Sequence, residues 1–321
     1  MKLYIAPLQG YTDAPFRHFQ QEIFGGADGV FTPFLRVEKG EPCRRTLRDI
    51  ESALNKNHKP VPQIIFRDAD EFAQLVAELK ARGFRRIDLN LGCPFPPQVH
   101  KGRGAGVLLR PDVLESVADI IRGDSGVEYS VKMRLGVDRS DQWHPLAGAL
   151  NSMPLVHVAV HPRFARQQYR GELYYDEFEA LADELRHPIV FNGEIGTPGD
   201  IGALSARYQW LHGVMVGRGI LSRPSLFAEY RQGVEWTPQE RSELYLKLHN
   251  ALLEHYESVL CGPQQILAKI KTFWDYPPDC IEARIIKKMC KARSLADYRT
   301  VVRENLAGGR FRTEEIYHRG K

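Results

Sequence analysis

Residues 63–90 have the sequence QIIFRDADEFAQLVAELKARGFRRIDLN, and this stretch predicts one strand–helix–strand unit. Its two ends, Gln63–Phe66 and Ile87–Asn90, are short apolar runs without strict alternation, which is typical of strands buried in a parallel sheet. The segment between them, Asp70–Arg82, repeats its apolar residues at helical spacing and predicts an amphipathic helix.

The same alternation of short apolar runs and helical segments continues from residue 1 to about residue 230. Further helices are predicted at Asp112–Arg122 and Tyr175–Arg186. Eight strands interleaved with helices favour an α/β fold of the (β/α)8 TIM-barrel type. A doubly wound open sheet is the alternative, but no GxGxxG motif follows the first strand. The eight predicted strands are Leu3–Ala6, Gly29–Thr32, Gln63–Phe66, Ile87–Asn90, Tyr129–Arg134, Leu155–His161, Ile189–Asn192 and Gly213–Gly217.

The pattern changes after residue 236. Thr237 is a residue type that favours a helix N-cap. Pro238 suits the first helical position, and Glu240 suits the first turn. The segments that follow predict an all-α domain at 237–306, after a barrel domain at 1–236, and we expect the tail at 307–321 to be disordered. The predicted helices are Glu240–Leu260, Gln264–Trp274, Asp279–Lys291 and Leu295–Glu304.

Composition excludes several classes of protein. The chain has 321 residues, of which 43% are hydrophobic and 26% charged, as in ordinary globular proteins. No apolar stretch approaches ~18 residues, so we expect no membrane span. The N-terminal apolar run stops at Pro7, which argues against a signal peptide and predicts a cytoplasmic protein. Five scattered cysteines without a CxxC pair argue against a disulfide framework and a zinc site.

The charge is unevenly distributed along the chain. Residues 241–321 contain 15 Lys and Arg against 10 Asp and Glu, a net charge of +5, whereas the whole chain carries +4. A solvated helical surface and a polyanion-binding module both explain this excess.

The candidate functional residues follow from the barrel geometry. An α/β barrel carries its active site at the carboxyl ends of the strands, and almost every predicted strand here ends in polar or reactive groups. These candidates are Pro7, Leu8, Gln9, Gln63, Asn90, Cys93, Lys132, Arg134, His161, Arg163, Asn192, Gly193, Glu194, Gly217 and Arg218.

For three of these candidates, a purely structural role has to be compared with a functional one. Cys93 alone would most often be a buried inert thiol, although its loop position between Gly92 and Pro94 suits presentation to a ligand. The position of His161 fits a histidine packed in the core as well as it fits a functional histidine. Lys132 differs, because a lysine inside the apolar run of a barrel strand is costly unless an anion accompanies it.

A flavin mononucleotide fits this set of residues. Gly217 and Arg218, at the end of the eighth strand, match the common phosphate site of such barrels. Lys132 would face the pyrimidine edge of the isoalloxazine and stabilise the anionic reduced flavin. Gln63 and Asn192 would hydrogen-bond the same ring.

With these residues assembled, the sequence resembles the tRNA-dihydrouridine synthases over nearly its whole length. The most discriminating motif is the loop Asn90–Pro94, NLGCP, followed by GAGVLL at Gly104–Leu109. The other shared motifs are Ala6–Gly10 (APLQG), Val131–Gly136 (VKMRLG), His161–Arg163 (HPR), Asn192–Ile195 (NGEI) and Gly217–Gly219 (GRG). The chain departs from the family pattern at Leu8, Pro162 and Phe164.

The resemblance implies a flavin enzyme in which NADPH reduces FMN and the flavin reduces the C5–C6 double bond of a tRNA uridine. It implies Cys93 as the proton donor, with Asn90 and Arg163 near the uridine, Arg134 on the substrate side, and His161 by both flavin and base. The flavin contacts that it implies are Pro7, Leu8, Gln9, Gln63, Lys132, Asn192, Gly193, Glu194, Gly217 and Arg218.

Two patches resemble the C-type bacterial subfamily, which modifies U16 of the D loop. These are the segment around Arg36 and the pair Lys269 and Lys271, and both are expected to contact tRNA. We expect a monomer without a metal ion and without membrane contact. The alternatives are a flavin barrel acting on a free pyrimidine or other small molecule, a synthase acting on rRNA, and a non-catalytic RNA-binding homologue.

Overall fold

A computed structural model describes residues 1–305, so the predicted tail at 307–321 lies outside the described part of the chain. The residues fall into two compact units. The first contains Met1–Gln9, Asp28–Glu194 and Ser205–Val216; the second contains Gly10–Ala27, Ile195–Leu204 and the residues from Gly217 onward. The predicted boundary at 236/237 stays a prediction.

The first unit is built on eight parallel strands, which confirms the predicted TIM barrel. The strands from β3 to β8 pair in sequence order, β8 pairs with β1, and β1 pairs with β2. Isolated bridges Phe31–Val61 and Leu35–Ile64 join β2 to β3 and close the ring. The strands are β1 (Lys2–Ile5), β2 (Gly29–Val30), β3 (Gln63–Ile64), β4 (Arg86–Leu91), β5 (Glu128–Gly136), β6 (Leu155–Phe164), β7 (Ile189–Phe191) and β8 (Gly213–Val216).

Helices follow most strands, and their apolar faces are buried as the periodicity predicts. In α3, for example, Phe72, Leu75 and Leu79 are completely buried. The helices up to β8 are α1 (Ala14–Ile23), α2 (Arg44–Ile50), α3 (Ala69–Ala81), α4 (Pro96–Val99), α5 (Pro111–Gly123), α6 (Ala147–Ser152), α7 (Tyr175–Glu184) and α8 (Pro198–Arg207). A short antiparallel ribbon, Val37–Glu38 with Glu41–Pro42, was not predicted.

The chain after β8 is helical in the described residues, as predicted. Thr237 caps α11 through a capping box with Glu240, and Pro238 occupies its first position. The helices are α9 (Arg218–Ser222), α10 (Leu226–Gln232), α11 (Pro238–Val259), α12 (Pro263–Lys271), α13 (Ala283–Lys291) and α14 (Leu295–Asn305). No helix within residues 1–305 is both long and apolar enough to cross a membrane.

The barrel interior changes in character along its axis. Tyr4, Phe31 and Met215 belong to one buried apolar cluster, and the ring of His157 stacks on Tyr4 at 5.1 Å between centroids. Nearer the carboxyl ends of the strands, the inward-facing side chains of β3, β4 and β5 are polar. The apolar part supports the barrel, and the polar part forms the candidate site.

Candidate functional site

The register of three neighbouring strands brings the polar side chains together. Side chains alternate between the two faces of a strand, so Asp88 and Asn90 share the inner face of β4. The ladder pairs Asp88 with Gln63 on one side and with Ser130 on the other, and it pairs Asn90 with Lys132. These five residues therefore form one polar cluster inside the barrel.

Lys132 is half-buried in the barrel and is oriented by one amide. Its Nζ donates to Asn192 Oδ1 at 2.6 Å, and Asn192 Nδ2 donates to the Met215 carbonyl oxygen at 2.6 Å. Burial and the nearby charge of Arg134 together lower the pKa of Lys132 to about 8, whereas the charge of Asp88 favours the protonated form. Within residues 1–305 the ammonium has no second hydrogen-bond acceptor, so it is suited to an anionic or acceptor-rich ligand.

Cys93 lies in a loop whose backbone is fixed by Asn90. The side-chain oxygen of Asn90 accepts hydrogen bonds from the backbone N–H of Gly92 (3.1 Å) and of Cys93 (2.8 Å). Gly104 packs so closely that a Cβ there would lie 2.8 Å from Cys93 Cβ. Burial raises the pKa of the Cys93 thiol. At neutral pH this group is therefore a protonated thiol, which can donate a proton.

Gln63 and Asp88 extend this arrangement into the barrel. Gln63 Nε2 donates to Asp88 Oδ2 at 2.7 Å, and Gln63 Oε1 accepts from Asn90 Nδ2 at 2.7 Å. Ser130 Oγ donates to Asp88 Oδ1 at 2.6 Å. Asp88 and Ser130 were not among the predicted site residues. An aspartate inside the apolar run Ile87–Asn90 was the overlooked signal, because a charge in a barrel strand is what singled out Lys132.

Arg163 is held by residues of β6 and of the loops that follow β6 and β7. Its Nη1 forms an ion pair with Glu194 Oε1 at 2.6 Å and approaches His161 Nε2 at 3.4 Å, while its Nε donates to the Gly171 carbonyl at 3.2 Å. Gly193 has a φ of +150°, and a Cβ there would lie 3.2 Å from His161 Cδ2. The predicted pair His161 and Arg163 is thus brought next to Gly193 and Glu194.

Two further arginines predicted on the substrate side have partners within the first unit. Arg134 donates to the Phe164 carbonyl at 3.1 Å, and its guanidinium lies 5.5 Å from the centre of the Tyr169 ring. Arg36 forms an ion pair with Glu38 in the short ribbon. Pro7, Leu8 and Gln9 follow β1 directly, also in the first unit.

The remaining predicted residues belong to the second unit. Gly217 caps the five-residue helix that starts at Arg218. Lys269 Nζ forms an ion pair with Asp13 at 2.7 Å. Lys271 donates to the carbonyl oxygen of Ala292.

The fold places the chain among the (β/α)8-barrel proteins. It is similar to the solved structure of morphinone reductase, with a TM-score of 0.50 and 11% identity over 76% of this chain and 88% of that one. It is also similar to histamine dehydrogenase from Rhizobium sp. 4-9, with a TM-score of 0.51 and 12% identity over 85% of this chain and 49% of that one. At these identities the similarity concerns the fold.

The sequence comparison is more specific. The family model for dihydrouridine synthase matches residues 4–273, so the chain belongs to the dihydrouridine synthase family. A probable tRNA-dihydrouridine synthase of Staphylococcus aureus (strain Mu50) is 30% identical over 79% of this chain and 77% of its own. Probable tRNA-dihydrouridine synthase 2 of Bacillus subtilis (strain 168) is 27% identical over 83% and 82%. The protein is accordingly a flavin-dependent oxidoreductase.

The residues of the first unit fit a flavin. The Lys132 ammonium donates to one acceptor and can offer further N–H groups, and Gly193 leaves space beside His161 that a side chain would fill. A cation aimed at the electron-rich edge of the ring stabilises its reduced, anionic form. The cluster also contains amide groups that can hydrogen-bond ring heteroatoms.

Proposed function

We propose that the protein is an FMN-dependent tRNA-dihydrouridine synthase that uses NADPH to reduce a D-loop uridine, U16 in the subfamily pattern, to 5,6-dihydrouridine. The single observation that carries this proposal is the pairing of a protonated thiol, Cys93, with an inward-pointing cation, Lys132, at one end of the barrel. The overall reaction consumes one uridine, one NADPH and one proton.

The flavin, when bound, supplies the hydride that adds to C6 of the uracil. We assign its ring contacts to Gln63, Lys132 and Asn192, with His161 beside the flavin and the base. Gly217 and Arg218 are proposed for the phosphate, because backbone N–H groups and a guanidinium suit a phosphate monoester. The other proposed flavin contacts are Pro7, Leu8, Gln9, Gly193 and Glu194.

Cys93 is the proposed proton donor to C5. Addition of hydride at C6 leaves electron density at C5, which takes the proton from the thiol, and solvent restores that proton afterwards. The raised pKa of Cys93 supports this role, because a thiol that remains protonated near pH 7 is an acid and not a nucleophile. Asn90 orients the thiol by holding the backbone of its loop.

The target base has to leave its stack to reach Cys93, as it does in other base-modifying enzymes. We propose that Arg134 and Arg163 border the extruded uridine and that Arg36 contacts RNA nearby. Lys269 and Lys271 are proposed contacts of the second unit. The Lys269 ammonium forms an ion pair with Asp13 and the Lys271 ammonium donates to the Ala292 carbonyl oxygen, so a phosphate has to compete with these partners.

Replacing Cys93 by alanine tests the proposed chemistry. The Cys93→Ala variant is expected to bind FMN and to accept hydride from NADPH at the parent rate, because the thiol acts only on the uracil. Dihydrouridine formation on tRNA is expected to fall by about 10²–10⁴-fold, the usual contribution of a general acid. Stopped-flow flavin spectra measure the first half-reaction, and mass spectrometry of digested tRNA measures the second.

The matched control is Cys43→Ala, which removes another half-buried thiol of the first unit. It is expected to leave both half-reactions unchanged. Normal dihydrouridine formation by Cys93→Ala would show that a different group is the acid.

A further inference from the structure

A series of directed hydrogen bonds connects a buried carboxylate to the cysteine loop. Asp88 is completely buried and accepts from Gln63 Nε2. Gln63 Oε1 accepts from Asn90 Nδ2. Asn90 Oδ1 then accepts from the backbone N–H of Gly92 and of Cys93. We call this series the Asp88 relay.

The chemistry of its two ends allows only one orientation of the relay. An ionised carboxylate only accepts hydrogen bonds, and a backbone N–H only donates them. Gln63 must therefore turn its NH2 group toward Asp88 and its oxygen toward Asn90. A rotated Gln63 amide would set its oxygen against the carboxylate and its NH2 against that of Asn90. The acceptor oxygen of Asp88 thus determines which face Asn90 presents to the cysteine loop.

The carboxylate is itself held in its ionised form. Ser130 donates to its second oxygen at 2.6 Å, and Lys132 lies close enough to favour the charge. Burial raises the pKa of Asp88 to about 6, so the group is still mainly ionised at neutral pH. Removing both of its oxygens would leave the buried donors of Gln63 and Ser130 without their acceptor, which is unfavourable.

We propose that Asp88 is a positioning residue that fixes the orientation of the Cys93 loop through Gln63 and Asn90. Asp88 acts without touching the uridine. The catalytic consequence of this inference rests on the proposed role of Cys93, whereas the effect on the loop does not.

The test is the rate at which iodoacetamide alkylates Cys93 in the purified full-length protein, measured by mass spectrometry of the Cys93 peptide. Asp88→Leu removes the acceptor and keeps the branched side chain with the same number of heavy atoms. We expect alkylation at least about fivefold faster, because a loop without its fixed acceptor opens more often and exposes the thiol. Gln63→Met breaks the middle of the relay and is expected to give the same increase, so the test survives if Asp88→Leu does not fold.

Two variants separate the relay from a general loosening of the barrel. Asp88→Asn keeps an oxygen that accepts from Gln63, and its NH2 can donate to the Ser130 hydroxyl. Leu89→Ala removes a buried apolar side chain from the opposite face of β4 and leaves every relay bond in place. In both variants, the rate of Cys93 alkylation is expected to stay within about twofold of the rate in the parent protein.

Parent-like alkylation of Cys93 in both Asp88→Leu and Gln63→Met would overturn the proposal, and so would an equal acceleration in Leu89→Ala. The assay needs neither RNA nor turnover. Normal dihydrouridine formation by Cys93→Ala would therefore defeat the proposed function while leaving the alkylation result valid for the relay.

Discussion

Among single residues, Lys132 is the one whose charge we expect to control the affinity of the barrel for an anionic ligand. Its pKa is lowered to about 8 by burial and by Arg134. In the flavin-free protein the ammonium therefore loses its charge as the pH rises through about 8. The charged form, present below this pH, is the form that binds an anionic or acceptor-rich ring edge.

We predict that the affinity of the flavin-free protein for FMN falls between pH 7 and pH 9, and that Lys132→Met has a lower affinity without this pH dependence. Quenching of FMN fluorescence on binding measures the dissociation constant at each pH. Lys56→Met, which removes an exposed lysine, is the control and is expected to behave as the parent does. A Lys132→Met variant with parent affinity and flavin reduction would refute the assignment of this lysine.

Some of these residues could be predicted from the sequence and others could not, for physical reasons. Lys132 was predictable because a charge in an apolar strand needs a partner. The bond from Gln63 to Asp88 depends on the register of β3 against β4, which no local pattern encodes. The ion pair of Arg163 with Glu194 likewise joins residues that only the closed barrel brings together.

Among the helices and strands, α13 carries the most concentrated positive charge of the second unit. Arg284, Lys287, Lys288 and Lys291 are exposed on one face, and Ile285, Ile286 and Met289 are buried on the other. Of these cations, Arg284 is paired with Glu282. The three lysines therefore form the part of the helix best suited to RNA phosphates. If the charged C-terminal quarter binds a polyanion, this face of α13 is where we expect the contact.

We predict that Lys287→Ala/Lys288→Ala weakens tRNA binding and reduces the slope of log affinity against log salt by roughly 0.7–0.9 for each phosphate that these lysines neutralise. Filter binding at several salt concentrations measures both quantities. The control Lys56→Ala/Lys247→Ala removes the same charge from exposed lysines elsewhere. If the two double variants bind tRNA equally well, non-specific charge explains the effect and the α13 face has no special role.

The elements themselves were largely predictable. All eight strands were located, because buried parallel strands are continuous apolar runs, and α11 begins at Pro238 as predicted. The ends were less accurate. The predicted helix Asp279–Lys291 begins only at Ala283, and Gln264–Trp274 ends as an α-helix at Lys271 and continues as a 3-10 turn. Both differences lie where the last or first helical turn depends on packing rather than on periodicity.

For the molecule as a whole, buried histidines link stability to pH. Burial lowers the pKa of His157 to about 4 in the first unit and that of His249 to about 4 in the second. Both are neutral in the folded protein, whereas in the unfolded chain they take up protons near pH 6.5. The unfolded state therefore binds more protons below that pH, and the free energy of unfolding falls as the pH decreases from about 6.5 toward 4.

We predict that each histidine lowers the free energy of unfolding by at most about 3 kcal/mol as the pH decreases from about 6.5 toward 4. Asp88 acts in the opposite direction below pH 6, because its raised pKa favours proton binding by the folded state. Urea unfolding at pH 7.5 and pH 5.5 measures the difference in the free energy of unfolding between the two pH values. The His157→Phe variant, which keeps an aromatic ring beside Tyr4, is expected to show a smaller difference than the parent protein. An unchanged pH dependence in His157→Phe would exclude His157 as a source of acid sensitivity.

The proposal that this barrel reduces a tRNA uridine can be tested in cells by a dihydrouridine map of total RNA with and without the gene. We predict that deletion abolishes dihydrouridine at one D-loop position of tRNA, position 16, and that the parent gene but not Cys93→Ala restores it. Unchanged tRNA dihydrouridine after deletion, or a decrease confined to ribosomal RNA, would contradict the proposal.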